Sequence, residues 1–396
     1  MQPLYVNAYT AVTAMGAGRN ATRAALASMR SGLTRNDFAP APVDAFIGRV
    51  AGLESVAVPI PLHDFDCRNN RLAWLGLQQD GFADAVARAV ARHGADRIAV
   101  IAGTSTSGVL STELGYRTRD PATGALPTTQ RYAEQHNFGA LAEFVRRALA
   151  LAGPTLTIST ACSSSAKVFA SASRWIAAGL CDAVVVAGVD SLCGTTLYGF
   201  DSLQLVSRAP CRPFDVARDG LSPGEGAGFV LLERGPAPGS RKLALLGYGE
   251  SADAHHMSAP HPDGLGARLA MAAALERSGL AAGQIDYVSA HGTATRNNDM
   301  VEAHAIARVV GPDTPVTSVK GFCGHTLGAS GIIGAVTTLV TIEHGFIPGT
   351  VNTTAVDPDC EAKIQLESAA RPVRSVLVNS LGFGGNNASL VFGAAE

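Results

Sequence analysis

The sequence predicts an α/β fold built from two similar halves, on three observations. Short apolar runs of strand length alternate with longer helical patterns along most of the chain. A Pro/Gly-rich stretch, Arg234-Gly235-Pro236-Ala237-Pro238-Gly239-Ser240-Arg241, interrupts this alternation past mid-chain. On each side of it, a β-rich run turns sharply into a helix of small residues, with a reactive side chain at the turn. The division falls at 1–238 and 239–396. The competing account is coincidence, since strand–turn–helix units recur in any α/β chain.

The elements follow in order. Positions 79–93 carry a helical pattern, and Arg97-Ile98-Ala99-Val100-Ile101-Ala102-Gly103 reads as a buried strand. A helix is expected over 139–152. Thr155-Leu156-Thr157-Ile158 is a strand-like run that ends at Ser159-Thr160-Ala161-Cys162, and a helix follows over 164–179. That helix is rich in small residues (Ala166, Ala170, Ser171, Ala172, Ser173), which allow close helix approach, so it is expected to be central and buried. Asp182-Ala183-Val184-Val185-Val186-Ala187-Gly188 is the next buried strand. Gly224-Glu225-Gly226-Ala227-Gly228 reads as a structural turn into the strand Phe229-Val230-Leu231-Leu232. In the second half, a helix over 266–278 precedes the apolar run from Ile285 to Ala290, which ends at His291. A helix over 299–310, a β-rich run after Pro315, His325 and a small-residue helix from Leu327 to Glu343 come next. The last strand is Ser375-Val376-Leu377-Val378-Asn379, followed by Gly382-Phe383-Gly384-Gly385-Asn386-Asn387.

Composition narrows the function. The chain has 396 residues, 47% of them hydrophobic and 16% charged, which suits a large buried core and an extensive interface. A net charge of −2 gives no bulk attraction to nucleic acid. The seven cysteines (67, 162, 181, 193, 211, 323, 360) form no CxxC pair, which fits reduced cytosolic thiols better than a disulfide framework. No Cys/His cluster has zinc-ligand spacing, so no metal is expected. The first residues show no basic region followed by an apolar one, and no apolar run reaches membrane-spanning length without Gly or charge. These readings predict a soluble, cytoplasmic protein with no membrane span.

The chemistry centres on Cys162, His291 and His325. A helix start leaves backbone N–H groups unpaired and carries positive potential, and both favour thiolate over thiol. His291 leaves a strand end, where α/β sites lie. His325 opens a helix, whose positive end disfavours imidazolium. Two neutral imidazoles aimed at one oxygen would stabilise an enolate. Lys320 precedes His325, and Glu302 lies on the helix after His291. Two readings stay open for them: a buried pair that orients the histidines, or a surface pair worth little. The glycines around Phe383 can present N–H groups to an oxyanion. No Gly-x-Gly-x-x-Gly opens a helix there, so a phosphate loop is not expected. His255, His256 and His261 cluster in a Pro-rich loop where no metal is expected; the remaining histidines default to structural or surface roles.

Together these motifs resemble the β-ketoacyl-acyl-carrier-protein synthases, in particular the two-histidine elongating type. The resemblance rests on Thr160-Ala161-Cys162-Ser163-Ser164, His291-Gly292-Thr293-Ala294-Thr295, Gly324-His325-Thr326 and Gly382-Phe383-Gly384-Gly385-Asn386. Arg212-Pro213-Phe214-Asp215, Arg218-Asp219-Gly220 and Asp253-Ala254-His255-His256-Met257 match as well. The resemblance implies a thiolase-like fold of five αβαβα layers in two similar halves, working as a homodimer or as a heterodimer with a related subunit. It implies transfer of an acyl group from acyl carrier protein to Cys162. Malonyl-carrier protein is then decarboxylated with His291 and His325 stabilising the enolate, supported by Lys320 and Glu302. The amides of Cys162 and Phe383 would form the oxyanion hole, with Phe383 gating access. Thr293 and Thr295 would hold the phosphopantetheine arm. Arg68, Arg71 and Arg212 would dock the acidic carrier protein. No cofactor is implied.

One departure stands out. Gly103-Thr104-Ser105-Thr106-Ser107-Gly108 aligns with a loop near the acyl pocket, and elongating enzymes commonly carry a bulky aliphatic residue where this chain has Thr106. A smaller, polar lining points to a specialised acyl chain, as in polyene or aryl-polyene synthesis. The alternatives are the active subunit of a ketosynthase/chain-length-factor heterodimer, a thiolase-superfamily acyltransferase, or a non-catalytic partner subunit. A thiolase would need a second cysteine where this chain has Gly382-Phe383-Gly384-Gly385, and non-catalytic subunits typically lack the nucleophile that Cys162 supplies.

Overall fold

Runs rich in Val, Ile, Leu and Ala set the strands, because such side chains fit a sheet buried on both faces. The structure is a computed structural model, describing residues 1–239 and 242–395. Ser240 and Arg241 of the Pro/Gly stretch lie outside the described residues, as does Glu396.

Ten strands carry the two halves. The first five are β1 (Leu4–Thr13), β2 (Ile98–Gly103), β3 (Thr155–Ile158), β4 (Ala183–Asp190) and β5 (Gly226–Glu233). The second five are β6 (Leu243–Ala252), β7 (Tyr287–Ser289), β8 (Pro315–Thr317), β9 (Ser375–Gly382) and β10 (Asn386–Ala394). The first set runs β3-β2-β4-β5-β1, with β5 antiparallel to both neighbours and β2 parallel to β3 and β4. The second runs β8-β7-β9-β10-β6, with β10 antiparallel to both neighbours and β7 parallel to β8 and β9. Strand order and sense are the same twice. Among the described residues, strand pairing joins the two sets only between β1 and β6, at Leu4–Leu245 and Tyr5–Ala244.

The helices are α1 (Gly18–Ala27), α2 (Arg68–Leu77), α3 (Phe82–His93), α4 (Val109–Arg117), α5 (Gly139–Ala148), α6 (Ser164–Ala177), α7 (Gly194–Ser202), α8 (Leu265–Ser278), α9 (Arg296–Val310) and α10 (Ser330–His344). They sort into layers by where their apolar faces go. Leu72 of α2, Val86 of α3 and Phe144 of α5 share one core with the outer face of the first sheet. Met271 of α8 and Ile306 of α9 share another with Leu377 of the second. Phe169 of α6 and Leu339 of α10 lie in the core between the two sheets. The result is five layers, α/β/α/β/α.

The middle layer explains the small residues. A Cβ on Gly331 of α10 would stand 2.4 Å from the amide nitrogen of Ala166 of α6. The two helices can therefore cross this closely only without a side chain there. Small residues on α6 make it the buried, central helix expected of them.

Sequence-based boundaries shift where the backbone turns left-handed. The helix expected from position 79 starts at Phe82, because Asp80 (φ 54°) and Gly81 (φ 66°) cannot be helical. The helix over 139–152 stops at Ala148, and Ala150 turns at φ 53°. The helix after His325 opens as a 3-10 turn, Leu327–Ala329, before α10. Residues 327–344 are apolar enough to cross a membrane by length and composition, but they lie buried in the middle layer.

Candidate active site

The nucleophile owes its position to a tight turn. Ala161 takes φ 51°, which costs a non-glycine residue about 1 kcal/mol. Local hydrogen bonds hold that strain. The Ser163 hydroxyl donates to the Thr160 carbonyl at 2.9 Å, and the Ser164 hydroxyl donates to the Ala161 carbonyl at 2.6 Å. Ser164 Oγ also accepts the Thr160 amide at 2.9 Å. From the other half, Ser380 of β9 donates to the Cys162 carbonyl at 2.8 Å.

His291 ends β7 on a loop that α9 secures. Buried Glu302 accepts the His291 amide at 2.7 Å and the Gly292 amide at 2.8 Å. The Asn379 side-chain amide donates to the same carboxylate at 3.2 Å. Burial raises the Glu302 pKa; these N–H groups and Lys320 oppose the rise.

His325 follows a short helical turn, Lys320–Cys323. Its Nε2 lies 3.0 Å from Cys162 Sγ. The Leu327 amide donates to its Nδ1 at 3.3 Å, which places the ring proton on Nε2, and Ser330 Oγ stands 2.8 Å from Nδ1. The ring of His291 meets that of His325 edge to face, 5.2 Å between centroids. Thus the two loops, distant in sequence, converge on one sulfur.

Electrostatics corrects one expectation. The helix start was expected to favour the thiolate, but burial pushes the Cys162 thiol up to about 11. Lys320 and the amides of Phe383 and Cys162 pull the other way and do not overcome desolvation. Burial, with Lys320, lowers His325 to about 3. Burial first, then Lys320 and His325, takes His291 well below its ordinary value. Both rings are neutral near pH 7. Buried Lys320 thus faces all three side chains. Among the described residues it makes no direct ion pair with Glu302, so neither a contact pair nor a surface pair describes them; they interact through space.

A cavity of about 430 Å³ opens over the sulfur. Cys162, His291, His325, Thr293, Thr295 and Phe383 all line it. The Thr293 and Thr295 hydroxyls lie 2.9 Å apart, flanking Ala294 at φ 68°. Phe383 packs edge to face on Phe200, 6.0 Å between centroids, and Phe200 sits 6.3 Å from the His325 ring. Phe200 carried no sequence signal, because one aromatic in an otherwise ordinary helix cannot be told from core.

Four assigned residues lie elsewhere. Thr106 does not line this cavity; its hydroxyl donates to buried Asp190 at 2.8 Å. Arg68 is no docking residue. Its guanidinium forks onto buried Glu225 at 2.7 and 2.9 Å and also reaches Glu54, with the side chain 10% exposed. Arg71 is occupied by Asp66 at 2.6 Å. Arg212 is half-buried beside Asp215, which it helps hold in the charged form. In the His255–His261 loop, Nδ1 of His256 accepts the Ser258 and Ala259 amides, and Nδ1 of His261 accepts the Asp263 amide.

The donor set also bears on metals. The ligand-type atoms of Cys162, His291 and His325 all lie within 4.8 Å of one another. Spacing along the sequence did not show this cluster, because the fold brings its three members together from distant loops.

Comparison with known proteins places this arrangement. Residues 69–237 match the family described as Beta-ketoacyl synthase, N-terminal domain, and residues 243–354 match Beta-ketoacyl synthase, C-terminal domain. A 3-oxoacyl-[acyl-carrier-protein] synthase 2 of Rhizobium meliloti (strain 1021) is 40% identical over 259 residues, 61% of this chain and 61% of that protein. A mitochondrial 3-oxoacyl-[acyl-carrier-protein] synthase of Arabidopsis thaliana is 39% identical over 259 residues, 61% of this chain and 56% of that one. The match thus spans about three-fifths of the length of these curated relatives. Among solved structures, a ketosynthase in complex with its chain length factor from Xenorhabdus doucetiae is 36% identical, with a TM-score of 0.87, covering 100% of this chain and 98% of that one. A beta-ketoacyl synthase from Burkholderia phymatum STM815 is 28% identical, with a TM-score of 0.87 and full coverage of both chains. On the two successive domain matches, the chain belongs to the β-ketoacyl synthase family.

Proposed function

We propose that this protein is a β-ketoacyl synthase acting on carrier-protein thioesters. The observation that carries the reading is the 3.0 Å approach of His325 to the Cys162 sulfur, with the His291 ring alongside, in the lining of one cavity. The sulfur attacks an acyl thioester, and the carrier's thiol leaves with the cysteine proton. A malonyl thioester then places its carbonyl oxygen between the two neutral imidazoles. Carbon dioxide departs, and the electron pair it leaves forms an enolate held by those rings. The enolate carbon attacks the acyl-cysteine carbonyl. The new oxyanion lies against the amides of Cys162 and Phe383, which already reach the sulfur. Collapse expels the sulfur and releases a 3-ketoacyl thioester two carbons longer. Thr293 and Thr295 would bind the pantetheine arm. Loss of carbon dioxide drives the step, so it needs no metal and no redox cofactor.

Mass spectrometry after incubation with a panel of acyl-carrier proteins tests this. The expected result is acylation at Cys162, lost in Cys162→Ala. No adduct with any acyl thioester would refute the reading.

We also infer that 1–238 and 239–396 are the two repeated units, and that the protein works in the cytoplasm beside a second subunit. Among the described residues β3 pairs only with β2, leaving a free strand edge with a buried, unpartnered Thr157 hydroxyl. Such an edge is where another chain would add. The full-length likeness to a ketosynthase bound to its chain length factor favours a heterodimer in which this chain is the active half. Native mass spectrometry of the protein alone separates the cases: a stable homodimer contradicts an obligate heterodimer. The proposal of specialised polyene or aryl-polyene chemistry no longer draws on Thr106, which lies outside the cavity. Equal or better use of plain saturated acyl chains would end that proposal.

A further inference from the structure

Asp190 ends β4 as a fully buried carboxylate, and the reaction above does not use it. It is crowded with donors. Thr104 Oγ1 donates at 2.5 Å, Ser105 Oγ at 2.6 Å and Thr106 Oγ1 at 2.8 Å. The amides of Ser105 and Thr106 each donate at 2.9 Å. The remaining donor comes from the other half of the chain: the Gly328 amide, at 2.5 Å. Ser105 Oγ stands 3.2 Å from the same amide as a second acceptor.

Gly328 follows Leu327, and Leu327 is the residue whose amide meets His325 Nδ1. Leu327 takes φ 54°, a conformation a branched side chain keeps only when its surroundings impose it. The space is as tight as the bonding. A Cβ on Gly328 would stand 2.7 Å from Asp190 Oδ2 and 2.7 Å from the Ser105 amide. The turn that sets the tautomer of His325 is therefore fastened to one carboxylate, itself fixed by three consecutive hydroxyl residues. Resting on the function proposed above, we propose that Asp190 is a positioning residue: it holds the Leu327–Gly328 turn so that His325 keeps its Nε2 proton aimed at the reacting oxygen.

Asp190 also acts on the nucleophile through space, raising the Cys162 pKa, whereas Lys320 lowers it. The other groups about the sulfur, His291, His325 and the amides of Cys162 and Phe383, are neutral near pH 7. This gives a readout that a purely structural role would not move.

The test uses the full chain and its Asp190→Asn variant. Carbon dioxide release from malonyl-pantetheine should fall about 10- to 100-fold, the scale of a misplaced catalytic group. Acyl transfer from octanoyl-pantetheine to Cys162 should stay within about threefold, because it relies on the sulfur and the amides. The pH midpoint for iodoacetamide alkylation of Cys162 should move down, since an anion has left its surroundings. Should Asp190→Asn fail to fold, Ser105→Ala keeps the carboxylate and is expected to show the same imbalance, smaller in size. Parallel loss of both partial reactions, no loss of decarboxylation, or an unmoved alkylation midpoint would overturn the assignment. If the unsubstituted protein releases no carbon dioxide, the proposed condensing activity fails instead, and the alkylation midpoint still reports on Asp190.

Discussion

Lys320 shows at the residue scale how charge reaches the site without contact. It lies buried, and its charge counteracts the desolvation that holds the Cys162 thiol near 11. Lys320→Met should therefore shift the alkylation midpoint of Cys162 upward and slow its modification near pH 8; an unchanged midpoint would remove Lys320 from the electrostatics. Arg68 makes the contrary case. Arg68→Ala leaves Glu225 buried without its cation, a loss of about 3 kcal/mol or more, readable as a lower Tm. The apparent KM for a carrier protein should not change in that variant, because the side chain does not face outward. The sequence disclosed Cys162, His291 and His325 because each ends a strand-like run at a sharp turn. It did not disclose their protonation, which burial controls, nor Asp190, whose importance exists only once Gly328 arrives from far along the chain.

Helices and strands were legible to the degree that their pattern was one-sided. The Val-rich β4 and the small-residue α6 declared themselves, since nothing but burial suits them. Helices α2, α4 and α7 did not, because polar residues and glycines break their apolar faces. Left-handed residues such as Asp80 and Ala150 moved boundaries that periodicity alone cannot place. The crossing of α6 and α10 yields a prediction at this scale. Gly331→Val puts a branched side chain where the amide of Ala166 already stands, so overpacking should cost about 3 kcal/mol and lower the Tm markedly. A Tm within a degree of the parent would mean the helices can part. Exposed Leu269→Ala on α8 is the matched control and should change little.

The whole molecule carries its repeat in its topology and its chemistry at the join. Sequence comparison of the halves suggested duplication only from two turn motifs; the shared strand order is a property of long-range pairing that no local window contains. Buried thiols give the molecule a collective pH dependence. All seven cysteines are free and buried, and burial lifts each to about 11 or 12. The unfolded chain releases these protons from about pH 9 upward, whereas the folded chain keeps them, so stability must fall as pH rises from 9 toward 11. Each thiol contributes about 1.4 kcal/mol per pH unit in that window, enough for a steep alkaline limb in Tm. A flat Tm between pH 9 and 11 would contradict it. On the acid side, neutral buried His325 binds its proton only near 3, so it opposes stability as pH drops below about 6.5.

Release of carbon dioxide from malonyl thioester by His325→Ala, with Cys162 acylation followed in the same sample, tests the convergence of the two loops most directly. The account predicts an acylated cysteine and decarboxylation reduced to near background. Carbon dioxide release at the parent rate, with the sulfur acylated as before, would show that His325 takes no part in decarboxylation.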